Sequence, residues 1–455
     1  MRTWLPGLRG RASRQLRRAW RYSPPVILAA SFAVLILLGA LLLWTPWASP
    51  GQDLGFWQAL FTACSAVTVT GLVVVDTGAD LTLFGQVVVL VLIHLGGLGL
   101  MSFAALTVMA LGGRFGLRGQ RLVREAMDQT SPGDVLILVR YIAILALSLE
   151  ALGAVLLAIV WVPEMGLARG LWFSVFHAVS AFNNAGFGLL PESLSPWAGQ
   201  PLVNGVITAL FIVGGLGFTV LMDLWRQRRF STLGLHSKLT ITGTLVLALG
   251  AWLLILLFEW GNGETLGALP AGDRVWAAWF TAVTPRTAGF NTLDTGALAL
   301  PSVLLIMFLM FIGGGSNSTA SGIKVSTFMV VMLATRSFLM GRSQTTAFRR
   351  GIALSSVFRA HAVVVLSLML LMLGNFLLVI LEPDLRALDV LFEGFSAFGT
   401  VGLSRGVTTE MSTAGQGVLM FLMFVGRIGP LALAFSLARP RDAKVRYVEN
   451  QVQIG

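Results

Sequence analysis

Gly71, Gly186, Gly289 and Gly402 mark four short stretches of one character: Val67-Thr68-Val69-Thr70-Gly71, Asn183-Asn184-Ala185-Gly186-Phe187, Pro285-Arg286-Thr287-Ala288-Gly289-Phe290 and Gly399-Thr400-Val401-Gly402. They stand about 100 to 115 residues apart, too long a period for a solenoid. Each lies between two long apolar segments. These stretches hold almost no carboxylates, so the chemistry on offer belongs to the main chain. Carbonyl oxygens can replace the water around a bare cation, and glycine permits the angles that turn them inward with no side chain in the way. Leaving that water unreplaced in a low-dielectric medium would cost on the order of tens of kcal/mol. The candidate coordinating residues are therefore Val69, Thr70 and Gly71; Asn184, Ala185 and Gly186; Thr287, Ala288 and Gly289; and Thr400, Val401 and Gly402.

Composition says where such stretches must sit. The 455 residues are 56% hydrophobic and 12% charged, with a mean hydropathy of +0.81. That much apolar surface cannot be hidden inside a soluble globule, so the chain belongs in a bilayer. The formal net charge of +11 lies in clusters between apolar runs and reads as a topology signal rather than a nucleic-acid surface. A single cysteine, Cys64, allows no intrachain disulfide and no thiolate metal cluster.

The elements that carry the four stretches follow one order. Met1 to Pro25 holds seven arginines and leads into Val26 to Trp44, a retained first helix with its basic tail in the cytoplasm. Phe56 to Val67 is about three turns long, too short to cross roughly 30 Å of hydrocarbon at 1.5 Å per residue. It should enter and return, with Val67 to Gly71 as the way back. A span from Leu83 to Leu111 follows, glycine-rich at Gly96-Gly97-Leu98-Gly99, and Arg114, Arg118, Arg121 and Arg124 come after it. The second unit repeats this with Val135 to Val162, Trp172 to Phe182, and Leu202 to Trp225, ending at Arg226, Arg228 and Arg229. The third has Leu239 to Phe258, Val275 to Val283, and a span in two pieces, Val303 to Ile312 and Ile323 to Ala334. The fourth has Ala362 to Leu381, Val390 to Phe398, and Val418 to Leu437, with Arg439, Arg441, Lys444 and Arg446 beyond.

The expected organisation is a basic tail 1–25, units 26–111, 134–229, 236–336 and 351–438, and a tail 439–455. It makes an all-α integral membrane protein of eight spanning helices and four short re-entrant pore helices, with both termini in the cytoplasm. An irregular backbone at membrane depth is tolerated only where it is buried in protein or faces water, so four returns in one chain suit one shared pore.

Two features break the pattern of plain spans. Gly313-Gly314-Gly315-Ser316-Asn317-Ser318-Thr319-Ala320-Ser321-Gly322 interrupts the third unit, with Lys324 just after it. Small polar residues do not maintain a stiff helix, yet they hydrogen-bond a loop that lines a watery cavity. A phosphate-binding loop does not fit: Lys324 is followed by Val325, not Ser or Thr. Arg427 lies within the last span, where a charge costs about 2.5 to 3.5 kcal/mol. It should either face the cavity or pair with an intramembrane acid such as Glu150 or Glu393. Arg140 and Glu150 share one helix but stand too far apart to meet, and Glu150 should point into the protein.

Thr68-Val69-Thr70-Gly71-Leu72, Ala181-Phe182-Asn183-Asn184-Ala185-Gly186-Phe187, Thr284-Pro285-Arg286-Thr287-Ala288-Gly289-Phe290-Asn291 and Ser396-Ala397-Phe398-Gly399-Thr400-Val401-Gly402-Leu403 resemble the four filter loops of the Trk/Ktr/HKT superfamily of cation transporters. The likeness covers nearly the whole chain. Within that superfamily it is closer to the bacterial KtrB-type potassium-translocating subunits than to the TrkH type, whose members carry two extra helices before the first unit. The resemblance implies pseudo-fourfold symmetry of the four repeats around the pore, a homodimer in the plasma membrane, and potassium as the transported ion, because all four filter positions are glycine. It also implies that 313–322 is an intramembrane gating loop, formed by Gly313, Gly314, Gly315, Ser316, Asn317, Ser318 and Gly322 with Lys324 beside it. Arg427 would then lie in the pore below the filter as a fixed positive charge. Control would come from a cytosolic nucleotide-binding ring of the KtrA type, with no nucleotide on this chain. Sodium as activator or coupled ion is common among the relatives, and no residue here marks a sodium site.

Other functions lack the residues they need. His94, His177, His236 and His361 lie on unrelated segments with no nearby ligand pattern, which disfavours a metal site. His177 and Glu393 sit in short pore helices and should brace the loops. No motif anchors Ser-His-Asp catalysis. A secondary transporter would show repeats of opposite topology instead of four in the same sense.

Overall fold

The structure, a computed structural model, describes residues 24–49, 54–110 and 132–429, with side chains over 28–49, 54–98 and 140–429. Residues 1–23 of the expected N-terminal tail, the whole C-terminal tail and the arginine cluster from Arg114 to Arg124 lie outside the described residues, and Pro24 and Pro25 begin the first helix.

Apolar helices dominate. In chain order they are α1 (Pro24–Leu43), α2 (Phe56–Thr68), α3 (Leu83–Ala110), α4 (Pro132–Met165), α5 (Leu167–Phe182), α6 (Pro201–Leu216), α7 (Phe218–Gln227), α8 (Leu235–Glu259), α9 (Ala271–Val283), α10 (Leu300–Phe311), α11 (Val325–Leu339), α12 (Leu354–Leu381), α13 (Ala387–Gly399) and α14 (Thr413–Ile428). A small antiparallel hairpin, Thr346–Ala347 with Arg350–Gly351, sits between α11 and α12 and has no counterpart in the helical pattern of the sequence.

Among the described residues, three helical stretches are long and apolar enough to cross a membrane: Arg140–Met165, Leu235–Glu259 and Leu354–Leu381. Leu147 and Val155, Leu253 and Leu257, and Met369 and Phe376 stand exposed on them, as lipid-facing side chains do. The expected continuous span from Leu202 to Trp225 is instead two helices, α6 and α7, bent by 95° at Gly217. The cause is local. Gly217 has φ 95°, in the left-handed range that no helix interior accepts, and the interrupted segment of the third unit presses on it through the Ser316 carbonyl. The expected last span, Val418 to Leu437, begins earlier and is described only to Ile428, with Gly429 also at φ 95°.

The packing runs in one direction around the molecule. α3 packs on α5, α6 on α9, α10 on α13, and α14 returns to α2. The buried apolar clusters follow the same steps. Val67 and Val69 pack with Ala185 and Phe187, Phe182 and Phe211 with Ala288 and Phe290, Ala277 and Met310 with Val401, and Phe398 and Leu422 with Phe61 and Leu72. Each cluster joins one return to the next, so burial of apolar side chains fixes the returns relative to one another.

Candidate functional site: a ring of four main-chain returns

α2, α5, α9 and α13 each end at one of the four returns, so the partial negative charge of each helix C-terminus faces the residues just beyond it. The chain then turns in the same way each time. Val69, Asn184, Thr287 and Thr400 have φ of 58°, 59°, 73° and 50°, and the glycines two residues later have 92°, 69°, 77° and 90°. The residue between them is never left-handed. In a strand successive carbonyls point to opposite sides, and this alternation of hand removes that alternation of direction. Left-handed backbone at Val69, Thr287 and Thr400 is costly for β-branched residues and persists only where the surroundings enforce it.

Those surroundings are visible at the helix ends. Thr70 N–H donates to Ser65 O, Ala185 N–H to Ser180 O and Val401 N–H to Ser396 O, each at 2.8 Å, and Ala288 N–H donates to Thr284 O at 2.9 Å. The hydroxyls of the same residues hold the far side of each return. Ser65 Oγ accepts from Gly71 N–H and Ser396 Oγ from Gly402 N–H, both at 3.1 Å. Ser180 Oγ donates to Phe187 O at 2.8 Å, and Thr284 Oγ1 to Phe290 O at 2.6 Å. The sequence alone gives the hydroxyls of these four residues no role, although Thr284 and Ser396 stand within the filter-like motifs. The signal was present as a hydroxyl followed by Ala and a large apolar residue at three of the helix ends: Ser65-Ala66-Val67, Ser180-Ala181-Phe182 and Ser396-Ala397-Phe398.

The four glycines meet in cyclic order. A Cβ on Gly71 would collide with Ala185 O, one on Gly186 with Gly289 Cα and Ala288 O, one on Gly289 with Val401 O, and one on Gly402 with Thr70 O. Each glycine thus faces the carbonyl that precedes the next glycine, and the fourth step closes on the first. The main chains approach too closely for any side chain at these positions. Of the twelve candidate coordinating residues, all are buried except Gly186 and Gly402, which are half-buried.

Below the returns, the interrupted segment is non-helical between α10 and α11. Ile312 pairs with Ile323, and Gly313 N–H donates to Ile323 O at 2.9 Å, which pinches 313–322 into a loop. The loop docks on the end of α6: Gly315 N–H donates to Gly215 O at 2.7 Å, Thr319 N–H to Gly214 O at 3.3 Å, and Phe218 N–H to Asn317 O at 3.0 Å. Gly314 lies against Gly215 as well. Ser318 Oγ donates to Gly315 O at 2.7 Å, and Ser316 Oγ stands 3.3 Å from Ser326 Oγ. Gly322 has φ 67°, and the half-buried Lys324 turns its Nζ back to Ala320 O at 2.7 Å.

Arg427 is buried and meets no carboxylate among the described residues. Its Nη1 donates to Thr319 O and, at 3.1 Å, to Ser321 Oγ; its Nη2 donates to Gly96 O at 2.6 Å and Gly97 O at 3.2 Å. Among the described residues the carboxylates with a basic side chain at ion-pair distance are Glu150, 3.3 Å from His94 Nδ1, and Asp389, beside Arg405. The alternative in which Glu150 or Glu393 neutralises Arg427 is therefore not what the chain adopts. Glu150 does point inward, accepting from Asn183 Nδ2 at 2.9 Å, while Arg140 is exposed. Glu393 braces the fourth return, accepting from Ser404 Oγ at 2.6 Å, Thr408 Oγ1 at 2.8 Å and Arg405 N–H at 3.0 Å. His177 is buried among Trp161, Phe173 and Phe290.

Comparison with known proteins gives the family and the fold. A family model described as TrkH, cation transport protein, matches residues 21–447. The Ktr system potassium uptake protein B of Bacillus subtilis is 48% identical, over 96% of this chain and 97% of that protein. The protein of the same name from Vibrio alginolyticus is 42% identical, over 95% of each. The potassium/sodium uptake protein NtpJ of Enterococcus hirae is 37% identical, over 96% and 98%. The fold is shared with the crystal structure of the potassium transporter TrkH from Vibrio parahaemolyticus, at a TM-score of 0.70 and 19% identity, over 91% of this chain and 84% of that one. This chain is a helical membrane protein and belongs to the TrkH family of cation transport proteins.

Proposed function

We propose that this chain is the potassium-translocating membrane subunit of a Ktr-type uptake system. The observation that carries the reading is the cyclic contact of Gly71, Gly186, Gly289 and Gly402 through the carbonyls of Ala185, Ala288, Val401 and Thr70. Four similar returns around one axis supply the oxygens that a dehydrated potassium ion needs, and the C-terminal ends of α2, α5, α9 and α13 add favourable potential. The repeats are 26–111, 134–229, 236–336 and 351–438, related by pseudo-fourfold symmetry. Contacts that step in one sense around the ring favour this over inverted repeats. Glycine at all four positions favours potassium over sodium, while the printed name of the Enterococcus hirae relative keeps sodium in view as a coupled or activating ion.

The loop 313–322 and Arg427 form one barrier under the filter. Among the described residues Arg427 has no acidic partner, and it fastens the loop to α3 through four hydrogen bonds. A cytosolic nucleotide-binding ring moves the loop, and the chain works as a homodimer in the plasma membrane with both termini inside. The Ktr system names of the relatives support the partner, and the basic clusters support the orientation. The direct experiment is growth of a bacterial host that lacks its own potassium uptake. Expression of this chain with a cognate ring protein should restore growth at limiting potassium. No rescue by correctly inserted protein would overturn the reading.

A further inference from the structure

Asn184 and Thr319 each serve two parts of the molecule. The main chain of Asn184 belongs to the second return, at a left-handed φ of 59°. Its side-chain Oδ1 accepts from Thr319 Oγ1 at 2.8 Å, and its Nδ2 donates to Thr287 Oγ1 at 3.4 Å, in the third return. Thr319 sits in the loop 313–322. Its hydroxyl also reaches Phe182 O, at the end of α5, at 3.2 Å, while its carbonyl accepts from Arg427. Asn184, Thr287 and Thr319 are each 1% exposed, so no water replaces a lost partner. The two residues joined by the Asn184 amide, Asn184 itself and Thr287, are both left-handed, a backbone state held only by its surroundings.

We propose that Thr319 is a positioning residue for ion selectivity. Through the Asn184 side chain, the seating of loop 313–322 sets the geometry of the second and third returns. When the loop leaves, Asn184 Oδ1 loses the hydroxyl that donates to it, and the carbonyls of Ala185 and Ala288 lose the brace that holds them at the ring. Loop position and ion preference are then linked: potassium in the ring favours the seated loop, and the seated loop favours potassium over sodium. The inference rests on the reading that the four returns hold potassium.

The test is the thermal protection of the purified, full-length protein by potassium chloride and by sodium chloride at constant ionic strength, which needs no open gate. In wild-type protein, potassium should protect at lower concentration than sodium. In Thr319→Val the ratio of the two half-saturating concentrations should fall by about three- to tenfold, the worth of one hydrogen bond. Thr319→Ser, which keeps the hydroxyl, should retain the wild-type ratio. In an Asn184→Ala background the Val and Ser variants should no longer differ. A merely structural role would lower the melting temperature of Thr319→Val and leave the ratio unchanged, and that result overturns the coupling alone. Should Thr319→Val not fold, Thr319→Cys against Thr319→Ser gives the same contrast. Wild-type protein that potassium does not protect would overturn the underlying reading, and the coupling with it.

Discussion

Arg427 Nη2 donates to Gly96 O at 2.6 Å, joining the last described helix to the middle of α3 from the first unit. The other nitrogen of the fork holds Thr319 O and Ser321 Oγ, so one side chain ties the loop 313–322 to the first unit. Neither side supplies a negative charge. Removing the guanidinium therefore removes a tether and a cation together.

Arg427→Ala should raise potassium flux into proteoliposomes severalfold. Arg427→Lys keeps the charge without the planar fork that spans both sides, so it should fall between the two if the tether matters. Flux in folded Arg427→Ala at or below wild type would count against the barrier.

Gly186 has φ 69°, and a Cβ there would stand 2.8 Å from Gly289 Cα. Gly186→Ser has to push the second and third returns apart, which widens the ring and favours a less stringent fit. Competition uptake should show the preference for potassium over sodium falling by about tenfold, equivalent to about 1.4 kcal/mol. An unchanged preference would undermine the role given to that glycine.

Glu393 is fully buried and satisfies two hydroxyls and one N–H. Glu393→Ala leaves those three donors without their acceptor and should cost about 2 to 4 kcal/mol of stability. Glu393→Gln keeps one acceptor oxygen and should cost less. Thermal unfolding in detergent reads both, and equal stability of the two variants would mean that the hydrogen bonds do not hold the fourth return.

A Cβ at Gly217 would meet the Ser316 carbonyl, and Phe218 N–H beside it holds Asn317 O. Gly217→Ala should therefore unseat the loop and raise basal flux with no filter residue substituted. Unchanged flux would show that the bend between α6 and α7 is not what seats the loop.

The four approaching glycines were more legible in the sequence than the helices around them. Gly71, Gly186, Gly289 and Gly402 could be found because close approach of main chains leaves glycine no substitute. The interruption at 313–322 was equally plain, because ten small or polar residues cannot pass for a helix. The bend at Gly217 was not legible. Leu202 to Trp225 is long and mostly apolar, and the break depends on the loop from the third unit that presses on it. Gly96 was noticed only as part of a glycine cluster, since its acceptance of Arg427 joins residues 331 apart in sequence. Ser65, Ser180, Thr284 and Ser396 escaped for a different reason: a hydroxyl near a helix end has many uses, and its partners here appear only once the return is folded. The direction in which Asn184 spends its side chain was hidden likewise, because its partners lie 135 and 103 residues away.

The central claim is that one ring of carbonyls, drawn from all four quarters of the chain, holds a dehydrated alkali cation. Anomalous diffraction from crystals grown in thallium(I), a heavy stand-in for potassium, tests it most directly. A peak is expected on the axis between Gly71, Gly186, Gly289 and Gly402, displaced by excess potassium and weaker in Gly186→Ser. Thallium bound elsewhere in the molecule, with the ring empty, would contradict it.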